Sequence, residues 1–198
     1  FLKADGGTYS SSAAHRLPVE TILSGPAASM MGAVALCESP SATTLVLDVG
    51  GTTTDIGVLI NGVPVLEPQG VSIDSLKTLV RGLKVVSVGA GGDSFVCLKD
   101  DKVCAGPQRM GAPAVMGGQG PTPMDALSVL GEFRQGDSAR AHDAVSTIAD
   151  RLGRDVADVA KEMLSVLVNN IKERALEFID EVNSHPVYTI YEMLHPDV

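Results

Sequence analysis

The stretch from Asp48 to Asp55, which reads Asp-Val-Gly-Gly-Thr-Thr-Thr-Asp, constrains this chain more than any other. A strand-like apolar segment precedes it at 44–47, and another follows at 56–60 and ends at an Asn-Gly turn signal. The two glycines permit backbone conformations that a side chain would forbid, and the consecutive threonines supply hydroxyl and amide donors. The pattern therefore predicts a strand, a loop and a second strand. The loop is either a phosphate-binding turn or a polar hairpin turn that is rich in Gly and Thr.

The donors of this loop favour the phosphate interpretation, because amide N–H groups in a turn form concave sites for anions. The carboxylates of Asp48 and Asp55 would repel a bare phosphate. They fit the site if a divalent cation, Mg²⁺, lies between them and the phosphates, since hard cations select oxygen ligands. We therefore predict that Asp48 and Asp55 are metal ligands with a catalytic role. The predicted nucleotide-binding residues of the loop are Gly50, Gly51, Thr52, Thr53 and Thr54.

A second candidate site follows a predicted buried strand at 84–88. The strand runs into Gly89-Ala90-Gly91-Gly92-Asp93-Ser94, and ligands commonly gather at the carboxyl ends of strands. We predict that Asp93 is catalytic and that Gly91, Gly92 and Ser94 contact the cofactor. The alternative is a plain turn in which Asp93 accepts hydrogen bonds from the backbone.

The Gly- and Pro-rich segment 106–123 has little periodicity, which predicts a long loop of the kind that is usually functional or disordered. Arg109 in this loop is a cation that could meet a phosphate or a carboxylate, and the alternative is an arginine at the surface. Thr122 is predicted to cap a helix with Asp125 in its first turn. Asp125 either favours the helix dipole or lies near the cleft.

Elsewhere the pattern predicts a regular framework. Segment 74–81 allows a short helix or a loop, and Gly153 is expected to separate two helices. The other predicted elements are a helix starting at Ser24 or Gly25, a strand at 63–66, a hairpin of 95–99 with 102–105, and helices at about 137–151 and 155–182.

Composition narrows the function. The chain has 198 residues, 44% of them hydrophobic, and a formal net charge of −9 with no basic stripe, so we expect neither nucleic acid nor an anionic membrane as a partner. No apolar run is long enough to span a bilayer, and no leader is recognisable, so we expect a cytoplasmic protein.

The cysteines and histidines do not have the spacing of zinc ligands. Sparse cysteine predicts reduced thiols, although Cys97 and Cys104 could face each other across the hairpin. The histidines are predicted to lie at the surface. The remaining residues of these two types are Cys37, His15, His142, His185 and His195.

The Asp48 to Gly57 stretch resembles the second phosphate motif of the actin, Hsp70 and sugar-kinase ATPase superfamily, and in detail the hydantoinase/oxoprolinase family. Further motifs agree with that family in order: Pro-Val-Glu-Thr-Ile-Leu-Ser-Gly-Pro-Ala-Ala at 18–28, the glycine-rich turn at 89–94, Gly-Pro-Gln-Arg-Met-Gly at 106–111, and Gly-Gly-Gln-Gly-Pro-Thr-Pro-Met-Asp-Ala at 117–126. The resemblance implies an α/β, ribonuclease-H-like mixed sheet that opens with three antiparallel strands, has flanking helices and is followed by a helical pair. It would be a partial copy of a two-lobed fold.

The family resemblance also implies a function. It suggests an ATP-dependent amidohydrolase that uses Mg²⁺, phosphorylates the carbonyl of a small cyclic amide and then hydrolyses it with a hydantoinase B-like partner subunit or domain. Asp93 would orient the attacking oxygen. Because the chain starts at Phe1 and lacks the first phosphate motif and the adenosine motif, we expect a fragment that is inactive alone.

The same resemblance leaves a second function open. An Hsp70- or actin-like module, such as a reactivating factor, would use its nucleotide state to control a partner without catalysing amide hydrolysis. A sugar-type kinase fits less well. The predicted organisation is a connecting segment with a hinge helix at 1–43, the phosphate-binding core at 44–134 and a helical segment at 135–198.

Overall fold

The computed structural model describes residues 1–36, 42–73 and 76–189. Its helices are α1 (Ser11–Arg16), α2 (Ser24–Leu36), α3 (Pro123–Val129), α4 (Ser138–Leu152) and α5 (Val156–Asn183), with 3-10 turns at Pro18–Thr21 and Ala114–Met116. Its strands are β1 (Thr44–Val49), β2 (Thr54–Ile60), β3 (Val63–Glu67), β4 (Ser72–Ile73), β5 (Leu76–Lys77), β6 (Gly82–Leu83), β7 (Val85–Val88), β8 (Val96–Lys99), β9 (Lys102–Ala105) and β10 (Tyr188–Thr189).

The chain separates into two compact units. Unit 1 comprises Phe1–Asp48, Asp55–Val86 and Phe178–Val198, and unit 2 comprises Val49–Thr54 and Ser87–Glu177. The division into three consecutive segments stays a prediction.

Unit 1 holds most of a six-stranded sheet. The order is β1-β2-β3-β10, with β6 also paired to β3 and β7 to β2. Strands β2 and β3 form an antiparallel hairpin around the predicted Asn-Gly turn, in which both Asn61 and Gly62 have positive φ, as a tight two-residue turn requires. The α/β character and the antiparallel pairing of β2 with β3 are confirmed, whereas the antiparallel direction of β1 and the ribonuclease-H-like topology stay predictions.

Helix α2 packs closely against this sheet, as its small residues predict. Ala27 and Met30 are buried with Leu66 and Leu83 in one apolar cluster. A Cβ added at Gly57 would lie 2.3 Å from the Met30 sulfur. Met30 can therefore pack against β2 only because position 57 has no side chain.

Lys3, Asp5 and Glu20 form a cluster of ion pairs near the N-terminus of unit 1. The Lys3 ammonium lies 3.0 Å from Asp5 and 3.1 Å from Glu20. Hydrogen bonds to Asp5 and Glu20 raise the pKa of Lys3. Burial by itself would raise the pKa of Asp5, but the Gly7 N–H and Lys3 outweigh it and lower that pKa.

Unit 2 is built on the predicted hairpin and helices. Strands β8 and β9 are antiparallel and place Cys97 opposite Cys104, and both thiols are free. Buried Val96 of β8 packs with residues of α3, α4 and α5. Helix α4 ends at Gly153, whose φ of +62° and N–H bonds to the preceding turn give it the left-handed cap typical of glycine. The helical pair is therefore confirmed.

The structure corrects several boundaries. Of the segment predicted as a short helix or a loop, Leu76–Lys77 form β5, which pairs with β4, and residues 78–81 lie outside helices and strands. Strand β7 exists, but it is only partly buried. Strands β1 and β2 extend to include Asp48 and Asp55, which shortens the predicted loop to residues 50–53. Helix α2 already includes Ser24 and Gly25, so neither precedes it as a cap.

Candidate functional site

The loop between β1 and β2 is a tight turn in unit 2. The Gly50 N–H donates to the Thr53 carbonyl at 2.9 Å, which closes the turn. Gly50, Thr52 and Thr53 are exposed. Among the described residues, none accepts a hydrogen bond from the N–H groups of Gly51, Thr52 or Thr53. The turn therefore presents three consecutive amide donors that can bind an anion.

The glycine-rich turn at 89–94 packs directly against this loop. The Gly92 N–H donates to the Gly50 carbonyl at 2.9 Å, and the Asp93 N–H donates to the Gly51 carbonyl at 2.7 Å. A Cβ at Gly91 would lie 2.5 Å from the Gly51 oxygen and 2.6 Å from the Gly50 oxygen. The backbones can approach this closely only because position 91 has no side chain. The structure thus brings the two predicted motifs together.

Two of the predicted phosphate-contacting hydroxyls are buried and have protein partners. Thr54 is fully buried and its Oγ1 donates to the Ala90 carbonyl at 2.7 Å. The Ser94 Oγ, also buried, accepts from the Gly91 N–H at 2.9 Å. Both side chains therefore stabilise the turns, and their contact with a cofactor stays a prediction.

Asp93 is paired with Arg109, whose place in the site the sequence left open. The Arg109 Nη2 donates to Asp93 Oδ2 at 2.6 Å, and Nη1 donates to the Thr52 hydroxyl at 3.1 Å. Two of the alternatives for Arg109 hold together, because the side chain contacts a carboxylate and is also exposed at the surface. The sequence signal for a functional Arg109 was its position between the two glycines of the 106–111 motif. The sequence alone did not show that the Arg109 side chain contacts Thr52.

Asp48 and Asp55 belong to unit 1. Asp48 is exposed near the end of β1, and its Oδ2 accepts a hydrogen bond of 2.5 Å from the Ser29 hydroxyl of α2. Asp55 is partly buried within β2 and has an interaction partner. Ser29 is a contact that sequence reasoning missed, since one serine in a helix of small residues gives no signal. The metal-binding roles of both carboxylates stay predictions.

The donor chemistry of Asp48 and Asp55 is of a kind that magnesium accepts. Among the described residues no three His, Cys, Asp or Glu side chains cluster as a metal site. Mg²⁺ is usually held by one or two carboxylates, with phosphates and water completing its coordination. The carboxylates of Asp48 and Asp55 supply oxygen donors of that kind.

Asp125 has a structural role. It is fully buried, and its carboxylate accepts hydrogen bonds from the N–H groups of Ala114 (3.2 Å), Val115 (2.7 Å) and Thr122 (2.9 Å) and from the Thr122 hydroxyl (2.8 Å). With Thr122 it forms the capping box of α3. These bonds tie α3 to the 3-10 turn at 114–116.

The remaining predictions concern the surface. His15, His142 and His185 are exposed, as predicted, while Cys37, Asp74 and His195 lie outside the described residues. None of the helices in the described ranges combines the length and apolar character needed to cross a bilayer.

The chain is similar to a known protein family and to two solved structures. A family model described as hydantoinase/oxoprolinase matches residues 1–186. The nucleotide-free structure of acetone carboxylase, from work on ATP-dependent acetone carboxylation, is similar with a TM-score of 0.78 and 27% identity over 90% of this chain and 27% of that chain. An ATP-dependent caprolactamase from Pseudomonas jessenii has a TM-score of 0.64 and 26% identity over 81% of this chain and 26% of that chain. No curated protein sequence matches. The chain spans about a quarter of the length of these solved relatives.

Proposed function

Because the chain belongs to the hydantoinase/oxoprolinase family, we propose that it is part of an ATP-dependent enzyme that activates the carbonyl group of a small molecule. Two relatives of known structure are named for ATP-dependent reactions: the carboxylation of acetone, which is a ketone, in one, and a caprolactamase, named for a lactam, in the other. The proposed share of this chain is to bind the phosphates of ATP with the loop at 50–53.

The observation that carries the proposal is the junction of this loop with the turn at 91–93. The Gly92 and Asp93 N–H groups donate hydrogen bonds to the carbonyl groups of Gly50 and Gly51, and these two bonds hold the loop in place. The N–H groups of residues 51–53 remain available, and Thr52 is exposed. Fixed amide donors bind phosphate oxygens without having to reorganise, which favours both binding and stabilisation of charge during phosphoryl transfer.

The chemistry that we propose is phosphoryl transfer to a cyclic amide. The carbonyl oxygen of the amide attacks the terminal phosphorus of ATP, ADP leaves, and hydrolysis of the activated carbon opens the ring and releases phosphate. Asp93 lies beside the loop and would orient the attacking oxygen by accepting a hydrogen bond from the N–H of the same amide group. When bound, Mg²⁺ would neutralise phosphate charge, and Asp48 and Asp55 would hold it. A hydantoinase B-like subunit or domain would supply the hydrolytic half of the reaction.

A nucleotide-gated module that controls a partner would use the same loop. The enzymatic function is favoured because acetone carboxylase and caprolactamase are both named for catalysis. The two functions differ in turnover, since only the enzyme links ATP consumption stoichiometrically to ring opening.

Calorimetric titration of Mg-ATP tests the binding step, in the full-length protein and in this chain in parallel. Gly51→Ala is the informative variant, because its Cβ would lie 2.6 Å from Asp93 Oδ2, an oxygen that is held by the ion pair with Arg109, so either that ion pair or the loop has to shift. Gly32→Ala is the matched control, since its Cβ would meet nothing within 4 Å. We expect Gly51→Ala to weaken ATP binding by about tenfold or more and Gly32→Ala to leave it unchanged. Absence of binding by the wild-type full-length protein, or wild-type affinity in Gly51→Ala, would refute the proposal.

A further inference from the structure

The guanidinium group of Arg109 joins three segments of unit 2. Its Nη2 donates to Asp93 Oδ2 at 2.6 Å, its Nη1 to Thr52 Oγ1 at 3.1 Å and its Nε to the Gly111 carbonyl at 3.3 Å. The first contact is a charge-assisted bond to a carboxylate, whereas the second is a longer bond to a neutral hydroxyl. The contact with Thr52 is therefore the weaker of the two and the easier to exchange.

Arg109 combines a fixed backbone with an accessible head group. The neighbouring Gln108 carbonyl accepts a bond of 2.8 Å from the Phe95 N–H, which anchors the segment at the start of β8. The Arg109 side chain is 44% exposed, compared with 14% for Asp93. Its head group can thus turn toward a ligand while its origin beside the loop stays in place.

Asp93 makes a cation necessary if a phosphate binds nearby. Its carboxylate lies against the loop, since a Cβ at Gly51 would approach Asp93 Oδ2 to 2.6 Å. An unpaired carboxylate there would repel a phosphate, and the chain as a whole is acidic, with a net charge of −9. Arginine suits this position because its planar fork can bond two anions at once and never loses its charge.

We propose that Arg109 is the residue by which this site distinguishes a nucleoside triphosphate from a diphosphate. On binding, Nη1 exchanges the Thr52 hydroxyl for an oxygen of the terminal phosphate, and Nη2 keeps its bond to Asp93. The inference rests on the proposed function, in which Asp93 orients the oxygen that attacks the terminal phosphorus. Because Nη2 of Arg109 is bound to Asp93, Nη1 of the same guanidinium group would lie next to that phosphoryl group. A diphosphate lacks the group that Nη1 would contact.

The test compares affinities of the full-length protein for a non-hydrolysable ATP analogue and for ADP, both with Mg²⁺, by calorimetry. Arg109→Ala should weaken binding of the ATP analogue by about 10- to 100-fold and binding of ADP by less than about threefold. Arg140→Ala is the matched control, because Arg140 bonds the carbonyl groups of Gly117 and Gly118. It therefore also tethers the long loop, but it touches neither Asp93 nor Thr52. It should leave the ratio of the two affinities unchanged.

The outcomes separate this inference from the proposed function. If the wild-type protein binds neither nucleotide, the proposed function fails and the inference fails with it. If the wild type binds both and Arg109→Ala changes both affinities equally or not at all, only the role of Arg109 is refuted. Should the alanine variant fail to fold, Arg109→Lys replaces it, since it keeps the charge but loses the fork. The lysine variant should also weaken ATP binding selectively, and a wild-type ratio in it would overturn the inference.

Discussion

Replacing Gly91 by alanine tests whether the two turns of unit 2 need direct backbone contact. The added methyl group would lie 2.5 Å from the Gly51 carbonyl oxygen and 2.6 Å from that of Gly50. Real Cβ atoms essentially never come within 3.0 Å of another heavy atom. Both neighbours are backbone atoms and cannot rotate away, so the turns must separate.

The size of the effect follows from what separation breaks. The Gly92 and Asp93 N–H bonds to the same two carbonyl groups, at 2.9 and 2.7 Å, would lengthen, and each contributes about 0.5–1.5 kcal/mol. Overpacking of a well-packed site costs about 1–3 kcal/mol. This range covers the same distortion as the lost hydrogen bonds, so the two costs are not added together. Reduced entropy of the unfolded chain offsets about 0.4–1 kcal/mol. We therefore expect a net loss of about 1–2 kcal/mol in the free energy of unfolding.

Urea denaturation of the full-length protein measures this loss, with the Gly32→Ala variant as the control. Gly32 lies in α2 with open space around it, so alanine there should stabilise by about 0.5–1 kcal/mol through helix propensity. The two glycine-to-alanine changes should thus move the urea midpoint in opposite directions. A Gly91→Ala protein that is as stable as Gly32→Ala and binds ATP normally would show that the contact between the turns is not required.

Three further predictions concern carboxylates. Asp125→Ala should lower the free energy of unfolding by about 2–4 kcal/mol, because buried N–H groups lose their acceptor, and a loss below about 1 kcal/mol in urea denaturation would contradict the assigned role. Asp48→Asn and Asp55→Asn in the full-length protein should each abolish Mg-ATP turnover and leave the thermal unfolding midpoint close to wild type; normal turnover in both would rule out the metal assignment. The folded-state pKa of Asp5 lies below its ordinary value of 3.8, so its contribution to stability is complete above that value and is lost as the pH falls through the lower, folded pKa. Thermal unfolding of Asp5→Asn between pH 6 and 2 should therefore show a smaller acid-side loss than the wild type, and identical profiles would argue against the Asp5 contacts.

Local signals predicted much of the framework because the forces that form it act over short sequence distances. The helical pair follows from apolar spacing and from Gly153, whose left-handed cap ends α4. The β8–β9 hairpin follows from two short apolar runs around Asp100-Asp101, both of which adopt positive φ. Each of these elements is determined largely by its own residues.

Contacts between distant residues could not be predicted in the same way. Ser29 meets Asp48 and Arg109 meets Thr52, which are 19 and 57 positions apart, and no local pattern encodes either pair. The pairing of β4 with β5 also escaped prediction, because strands of two residues are too short for a periodic signal.

The hydroxyl groups of the site show where composition misleads about chemistry. A run of threonines suggests several equivalent phosphate donors, but burial separates them: Thr54 bonds the Ala90 carbonyl, whereas Thr52 is exposed and contacts Arg109. Ser94 likewise accepts from a backbone N–H within its own turn. Such residues fix the backbone so that the amide groups of 51–53 keep one arrangement, and preorganised donors bind charge more strongly than mobile ones. Replacing a buried hydroxyl of this set should therefore weaken nucleotide binding through disorder of the loop rather than through loss of a direct contact.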